Sequence, residues 1–349
     1  MTNKDIAQLR LLNQHIALQT FKKPREIVAY LGAVQAQDYA GAKWALGLRL
    51  QKSNDAAIDK AMAEGSIIRT HVLRPTWHFV SPADARWMIG LTAPRINALM
   101  APWYRKLEMD SYVLKQSNDA LARALEGGKQ LDRAGMMAVL NNAGVKTNDL
   151  RFIHLLMRAE LDKVICSGGR QGKQFTYALF DDRVPTADSF TKEEALGELA
   201  KRYFLSRGPA TLQDFTWWSG LAAADAKSGL EMVKPDLTCM TVNSREFWMA
   251  RNLPGTRGKV PVAHLLPAFD EFAVAYKDRT AVVAPKYLKQ ARYVIFDPSI
   301  VVNGQVVGNW KRLTGKNAVD VNLIPFGKLS QVHQKAVENA VGRYLKFVK

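Results

Sequence analysis

Cysteine is almost absent from this chain. Among 349 residues there are two, Cys166 and Cys239, far apart and in no CxxC pair. That spacing disfavours a disulfide framework and a thiolate zinc site. The six histidines form no HExxH or HxxxH pattern, so no metal or other cofactor is expected. No apolar run approaches ~18 residues, so no segment is expected to span a membrane. The start, MTNKDIAQLRLLNQHIALQT, lacks the apolar core of a signal peptide. A reducing cytoplasm fits these absences. Acid is also scarce beside base: 32 Asp plus Glu stand against 49 Lys plus Arg, a formal charge of +17. With a pI near 9.8, the first partner to consider is a polyanion.

The chain is too long for one hydrophobic core, and about two to four units are expected. The clearest local order lies in 129–183. DRAGMMAVLNNAG reads as a short helix stopping at Gly144. NDLRFIHLLMRAELD opens on an Asn-Asp cap, with Phe152, Leu155, Leu156 and Ala159 at helical spacing. KVICSGGRQGKQFTYALF then reads as strand, Gly-rich basic turn, strand. Helix, helix, hairpin is the order of a winged helix. Arg170 and Lys173 sit at the hairpin tip without an acid, as a phosphate-touching wing would have them.

The order returns further on. TKEEALGELAKRYFLSRG has a capping-box start at Thr191 and Glu194 and a stop at Gly208. TLQDFTWWSGL and AAADAKSGLEMV read as two short helices, and DLTCMTVNSREFWMA alternates as a hairpin. The N-terminal segment resembles a third copy, with helices near 5–20, 24–31 and 54–64 before a β-rich SIIRTHVLRPTWHFVS. Beyond Pro254 the pattern changes to a small α+β cap. There VVNGQVV signals a type I′ hairpin, and a last helix is expected near 328–346. The expected fold is therefore α+β. Tandem winged-helix domains at 1–120, 121–188 and 189–258 precede an α+β domain at 259–349. Tandem winged helices with this charge point to a nucleic-acid protein.

Four stretches carry a resemblance: VQAQDY (34–39), RTHVLRPTWHFV (69–80), HLLPAFDEFAVAYKDR (264–279) and VVNGQVVGNWKR (301–312). In this order the chain resembles the AlkZ-type winged-helix DNA glycosylases, bacterial enzymes that excise alkylated bases and unhook interstrand crosslinks. Gln35-Ala36-Gln37 matches the family's Gln-apolar-Gln branch. The resemblance implies a concave basic surface for double-stranded DNA carrying alkylated purines, and no cofactor. It also implies a catalytic pair at Gln35 and Gln37, and action in the bacterial cytoplasm at the nucleoid. Asp38, directly after the motif, is a candidate for an assisting carboxylate.

Glutamine is no acid, base or nucleophile, yet it suits one substrate class. Alkylation at guanine N7 makes the base cationic, so it departs neutral and needs no protonation. The transition state is oxocarbenium-like, as in glycoside hydrolysis. What remains is to hold a water at the anomeric carbon, which an amide does with its carbonyl oxygen and NH₂. Gly32 can end the preceding helix, so both glutamines are expected on an extended or loop segment facing a DNA groove. A purely structural role for such amides, capping helices or bonding backbone, is the competing reading.

The other stretches supply candidate DNA contacts. Arg69, Arg74 and His78 are expected at phosphate or lesion, with His71 assisting and Trp77 in the core. Asp270 and Glu271 are the rival acids; their alternative is an ion pair with Lys277 or Arg279. Lys277, Arg279, Lys311 and Arg312 are read as backbone contacts, and Trp217-Trp218 as core. No heptad or zipper is visible, so a monomer is expected. The competing function is a non-enzymatic winged-helix transcriptional regulator, which would normally dimerise on a palindrome. A nuclease would need clustered acidic metal ligands, and none is visible.

Overall fold

In the computed structural model, residues 2–186, 190–252, 262–314 and 319–349 are described, apart from the Asp149 side chain. The chain divides into two compact units. One comprises residues 1–58 and 196–349, the other residues 59–195.

The second unit starts within helix Asp55–Ala63, and its first hairpin pairs Ile68–Val72 with Arg74–Val80, turning at Leu73 with φ +64. The 25-residue helix Pro82–Lys106 follows, with Pro94 and Pro102 inside it, and then the helix Ser111–Leu125. Neither long helix was anticipated. The helix Ser111–Leu125 is capped by Asp110, which accepts the Val113 amide. The domain boundary expected at 120/121 falls inside this helix and inside the second unit.

The order expected over 129–183 is present. Helix Arg133–Asn142 ends before Gly144, at φ +77, and helix Asp149–Leu161 is capped by Asn148. The hairpin pairs Ile165–Gln171 with Gln174–Leu179, and the short strand Leu131–Asp132 adds a third edge. Phe152 and Leu155 are fully buried and Leu156 nearly so, as the helical spacing requires.

The first unit holds the repeat of this order. Thr191 and Glu194 form the expected capping box for helix Lys192–Arg207. Helices Leu212–Ser219 and Ala223–Val233 follow, then the hairpin Leu237–Val242 with Arg245–Ala250. Toward the N-terminus lie helices Asn3–Asn13, Pro24–Leu31, Tyr39–Arg49 and, bridging into the second unit, Asp55–Ala63. The helix Tyr39–Arg49 was not anticipated. The helix expected to reach residue 20 stops at Asn13, because His15 enters the left-handed region at φ +55.

The C-terminal part is a four-stranded antiparallel sheet, ordered Val319–Pro325, Gln305–Thr314, Ser299–Val302, Ala263–Leu266. Asn303 and Gly304 both have positive φ, so the expected Asn-Gly hairpin is of type I′. Helix Gln331–Phe347 closes the chain and packs Tyr344 edge-on against Trp44 and Trp310. The indole of Trp44 donates to the Leu265 carbonyl at 2.7 Å and that of Trp310 to the Leu266 carbonyl at 2.8 Å. The change of pattern at Pro254 and the boundaries at 188/189 and 258/259 lie outside the described residues.

Candidate active site

The glutamine motif lies where a helix ends, a strand runs briefly and a second helix starts. Helix Pro24–Leu31 stops at Gly32, whose φ of +74 a side chain would oppose. The chain then extends through Ala33–Gln35. Asp38 is the N-cap of helix Tyr39–Arg49 and accepts the Gly41 amide at 3.2 Å. A Cβ at 41 would come within 2.6 Å of the Asp38 carboxylate, which would have to shift from its capping position. Gln35 thus ends the strand and Gln37 lies in the bend after it, within the extended or loop placement expected for the two. They differ in exposure, however. Gln35 is only 7% exposed, Ala36 is fully buried, and Gln37 is exposed. Asp38 has the work of a helix cap.

Behind the motif is a buried charged network. The Gln35 amide N–H donates to Glu271 Oε1 at 2.9 Å. Glu271 Oε2 accepts from Arg207 Nε and Nη2, at 2.9 and 2.7 Å, and from the Trp218 indole at 3.0 Å. Arg207 also donates to the carbonyls of Leu31 at 2.6 Å and Ala33 at 2.7 Å. One ion pair therefore grips the segment at residues 31, 33 and 35. Both partners are fully buried.

Asp270, the next residue, is held the same way. It takes two donors from Arg49, at 2.8 and 2.9 Å, in a second buried fork. Gln14 links the two pairs: it accepts from Arg49 at 2.8 Å and donates to the Glu271 carbonyl at 3.3 Å and the Tyr276 hydroxyl at 2.9 Å. Burial pushes the Tyr276 hydroxyl up to about 12. It stays protonated and donates to the Arg207 carbonyl at 2.6 Å.

This arrangement corrects one expectation. The partners of Asp270 and Glu271 are Arg49 and Arg207, not Lys277 or Arg279. Lys277 is exposed, while its amide N–H donates to Asp214 at 2.9 Å. Arg279 donates to the Ala273 carbonyl at 3.1 Å and lies over the Trp217 ring. Burial lowers its pKa. Neither rival acid is placed to serve as a base, because four N–H donors occupy Glu271 and Asp270 is forked by Arg49 while also capping Phe272. Of the tryptophan pair, Trp218 is core, as expected. Trp217 is 41% exposed, its indole donating to the Val274 carbonyl.

The candidates on the 68–80 hairpin belong to the second unit. Arg69 is buried, with its guanidinium over the Trp77 and Phe175 rings at 4.3 and 4.9 Å. His71 is buried against Glu160, which takes its Nδ1 and, at 3.0 Å, its amide N–H. The Trp77 indole donates to the other Glu160 oxygen at 3.4 Å. His78 is fully buried with Nδ1 at 2.9 Å from the Thr76 carbonyl. Burial thus keeps Arg69, His71 and His78 from the surface, while Arg74 is half-buried. At the 165–179 hairpin, Lys173 is exposed. Arg170 donates to the Lys173 carbonyl at 2.8 Å and faces Asp59 at 3.9 Å. Lys311 and Arg312 are exposed on strand Gln305–Thr314, with Arg312 lining a cleft of about 100 Å³ shared with Asp38 and Tyr344.

The sequence reading overlooked Arg49, Arg207, Gln14 and Tyr276. A signal existed: Arg49 interrupts the apolar run WALGLRL and Arg207 ends RYFLSR. A cation on a buried helix face demands an anion.

A family model described as DNA glycosylase AlkZ-like matches residues 28–347. The chain is similar to the interstrand DNA cross-link repair glycosylase of Streptomyces sahachiroi. The two are 24% identical over 362 residues, covering 94% of this chain and 92% of that protein. The fold is similar to that of the Streptomyces sahachiroi DNA glycosylase AlkZ. There the TM-score is 0.80 and the identity 20%, over 99% of this chain and 96% of that one.

Proposed function

Because the chain belongs to the AlkZ-like DNA glycosylase family, we propose that it hydrolyses the N-glycosidic bond of cationic alkylated purines in double-stranded DNA. N7-alkylguanine is the leading substrate, and the name of the Streptomyces relative extends the proposal to interstrand crosslinks. Gln35 and Gln37 are the catalytic pair. The observation that carries this reading is the contrast within the site. Two neutral amides stand at a pinned, partly exposed segment, while Asp270 and Glu271 of the third family stretch are saturated by arginines.

Such a site has no strong proton donor to offer a leaving base, so the substrate must supply its own activation. Gln37 accepts a hydrogen bond from a water and orients it toward the anomeric carbon. Gln35, held by Glu271 through its backbone, fixes the second contact, to water or sugar. The oxocarbenium collects the water from one face as the neutral purine leaves from the other.

The elements at 111–179 and 192–250 act as winged helices in this reading, with a third module in the N-terminal part and the four-stranded α+β domain last. The chain works as a monomer on a basic surface. Exposed Lys173, Lys277, Lys311 and Arg312, with Arg74, Arg170 and Arg279, are the phosphate contacts. The test is single-turnover base release from duplexes that differ only in one lesion. N7-methylguanine should be released and leave an abasic site, while uracil and 8-oxoguanine should not. Efficient uracil release would require a true general acid and would overturn the amide mechanism.

A further inference from the structure

The segment 285–296 carries three cations, Lys286, Lys289 and Arg292, and no acid. It is a tight series of turns anchored inward by Ala291 and Val294. Its large apolar side chains point the other way: Leu288 is 51% exposed, Tyr293 50% and Phe296 60%. Three such side chains within nine residues form a patch that folding alone does not explain. The cations alternate with them, and the Arg292 guanidinium lies 4.6 Å from the Tyr293 ring centre. Phe296 meets Phe269 edge-on at 5.6 Å, and the Phe269 amide donates to the Ile295 carbonyl at 2.7 Å. Phe269 immediately precedes Asp270 and Glu271. The same first unit thus ties this patch to the residues that hold Gln35. Pro298, two residues beyond Phe296, and Asp38, next to Gln37, line one cleft.

We propose that Tyr293 and Phe296 form a stacking platform for an unstacked base of the DNA, with Lys286, Lys289 and Arg292 on its flanking phosphates. Aromatic faces interleaved with three cations, against a single half-buried acid, Asp297, beside Phe296, match a strand whose bases are exposed, since every base has a π-face and every linkage an anion. An intact duplex offers the phosphates but hides the base faces. The platform therefore favours DNA in which a base has lost its partner or its stacking neighbour, the state present once a lesion is removed. The inference rests on the reading of this chain as a DNA enzyme, but not on its chemistry.

The test is fluorescence anisotropy of the full chain on two duplexes, one intact and one with a single tetrahydrofuran abasic site. The latter has no glycosidic bond, so binding is read apart from catalysis. Tyr293→Ala with Phe296→Ala should weaken abasic-site binding by roughly 10–100-fold and intact-duplex binding far less. Phe296→Trp should keep the affinity, with its fluorescence quenched on the abasic duplex. Replacing Lys286, Lys289 and Arg292 by Gln should weaken both and flatten the salt slope by about two to three units. Equal losses on both duplexes, or none, would overturn the platform. So would aromatic-dependent binding to phosphatidylserine–phosphatidylcholine vesicles with DNA affinity intact. Failure of the wild type to release any alkylated base would instead count against the proposed reaction and leave the binding ratio to be judged by itself.

Discussion

Replacing Glu271 by glutamine keeps the side chain's shape and removes its charge, and the hydrogen bonds show what must follow. The carboxylate serves four N–H donors: Gln35 on one oxygen, and Arg207 twice and Trp218 on the other. An amide has one oxygen. Turned toward Arg207 and Trp218, it sets its own NH₂ against the Gln35 amide, donor against donor. The Gln35 N–H is then left unsatisfied in a buried place, at about 1–3 kcal/mol. Arg207 keeps an acceptor but loses its counter-charge; breaking a buried pair costs about 3–5 kcal/mol. Against a total stability of about 5–15 kcal/mol, Glu271→Gln should shift the urea midpoint sharply yet leave a folded population in the cold.

The same substitution should slow excision in protein that is still folded, because the Gln35 segment has lost one of its three grips. Glu271→Leu combined with Arg207→Met separates the two effects. Exchanging a buried ion pair for apolar residues is often neutral or better for stability, but it cannot restore the bonds to Leu31, Ala33 and Gln35. The double variant should therefore be more stable than Glu271→Gln and no more active. Single-turnover excision at 10 °C and urea melts on the same samples supply both numbers. Wild-type excision by the double variant would refute the idea that the network positions the motif.

Three further outcomes follow from the geometry. Gln37→Ala and Gln35→Ala should each slow excision by on the order of 10–10⁴-fold; Gln37, being exposed, should do so with stability changed by less than about 0.5 kcal/mol, checked by urea melts. Burial pushes the Cys166 thiol up to about 12, whereas Cys239 is exposed, so a thiol reagent should titrate one cysteine in the native protein and two after denaturation, with Cys239→Ser removing the first. Burial also lowers the pKa of His15 below its ordinary 6.5: the fold favours the neutral ring, so this contribution is full above pH ~6.5 and is lost as pH falls below that value toward the folded pKa. Urea midpoints should drop from pH 7 to pH 5, and drop less in His15→Asn, which tolerates the left-handed backbone at φ +55.

Local order was legible where a short-range rule governs it. The Asn148 cap, the Thr191–Glu194 box, the Gly32 stop and the Asn303-Gly304 turn each depend on two to four neighbouring residues, and each is present. The missed helices break such rules. Pro82–Lys106 has two prolines in its interior, and Tyr39–Arg49 begins two residues after the Gln-Ala-Gln motif ends and contains two glycines. Tertiary packing overrides propensity in both. Burial was less legible still. Arg69, His71 and His78 look like DNA contacts in the string RTHVLRPTWH, but Glu160 and Phe175, which cover His71 and Arg69, lie far onward in the sequence. Polarity identifies a residue that needs a partner; only the fold says whether that partner is a phosphate or a carboxylate.

The pairing of charges also bears on which lesion the site can accept. A protein of net charge +17 attracts phosphates, but it should repel a cationic purine. Around the glutamine segment that repulsion is cancelled at its source. Arg49 and Arg207 are each forked to a carboxylate within 3 Å, so together the two pairs present no net charge to the motif. Asp38 adds an anion directly after Gln37. Under the proposed reaction, the arginines thus hold the backbone without opposing the positive charge of the departing base. If Glu271 were removed alone, Arg207 would become an uncompensated cation beneath Gln35. The loss of rate should then be greater for a cationic base than the loss of any affinity for undamaged duplex, because only the former meets the exposed charge at the reacting bond.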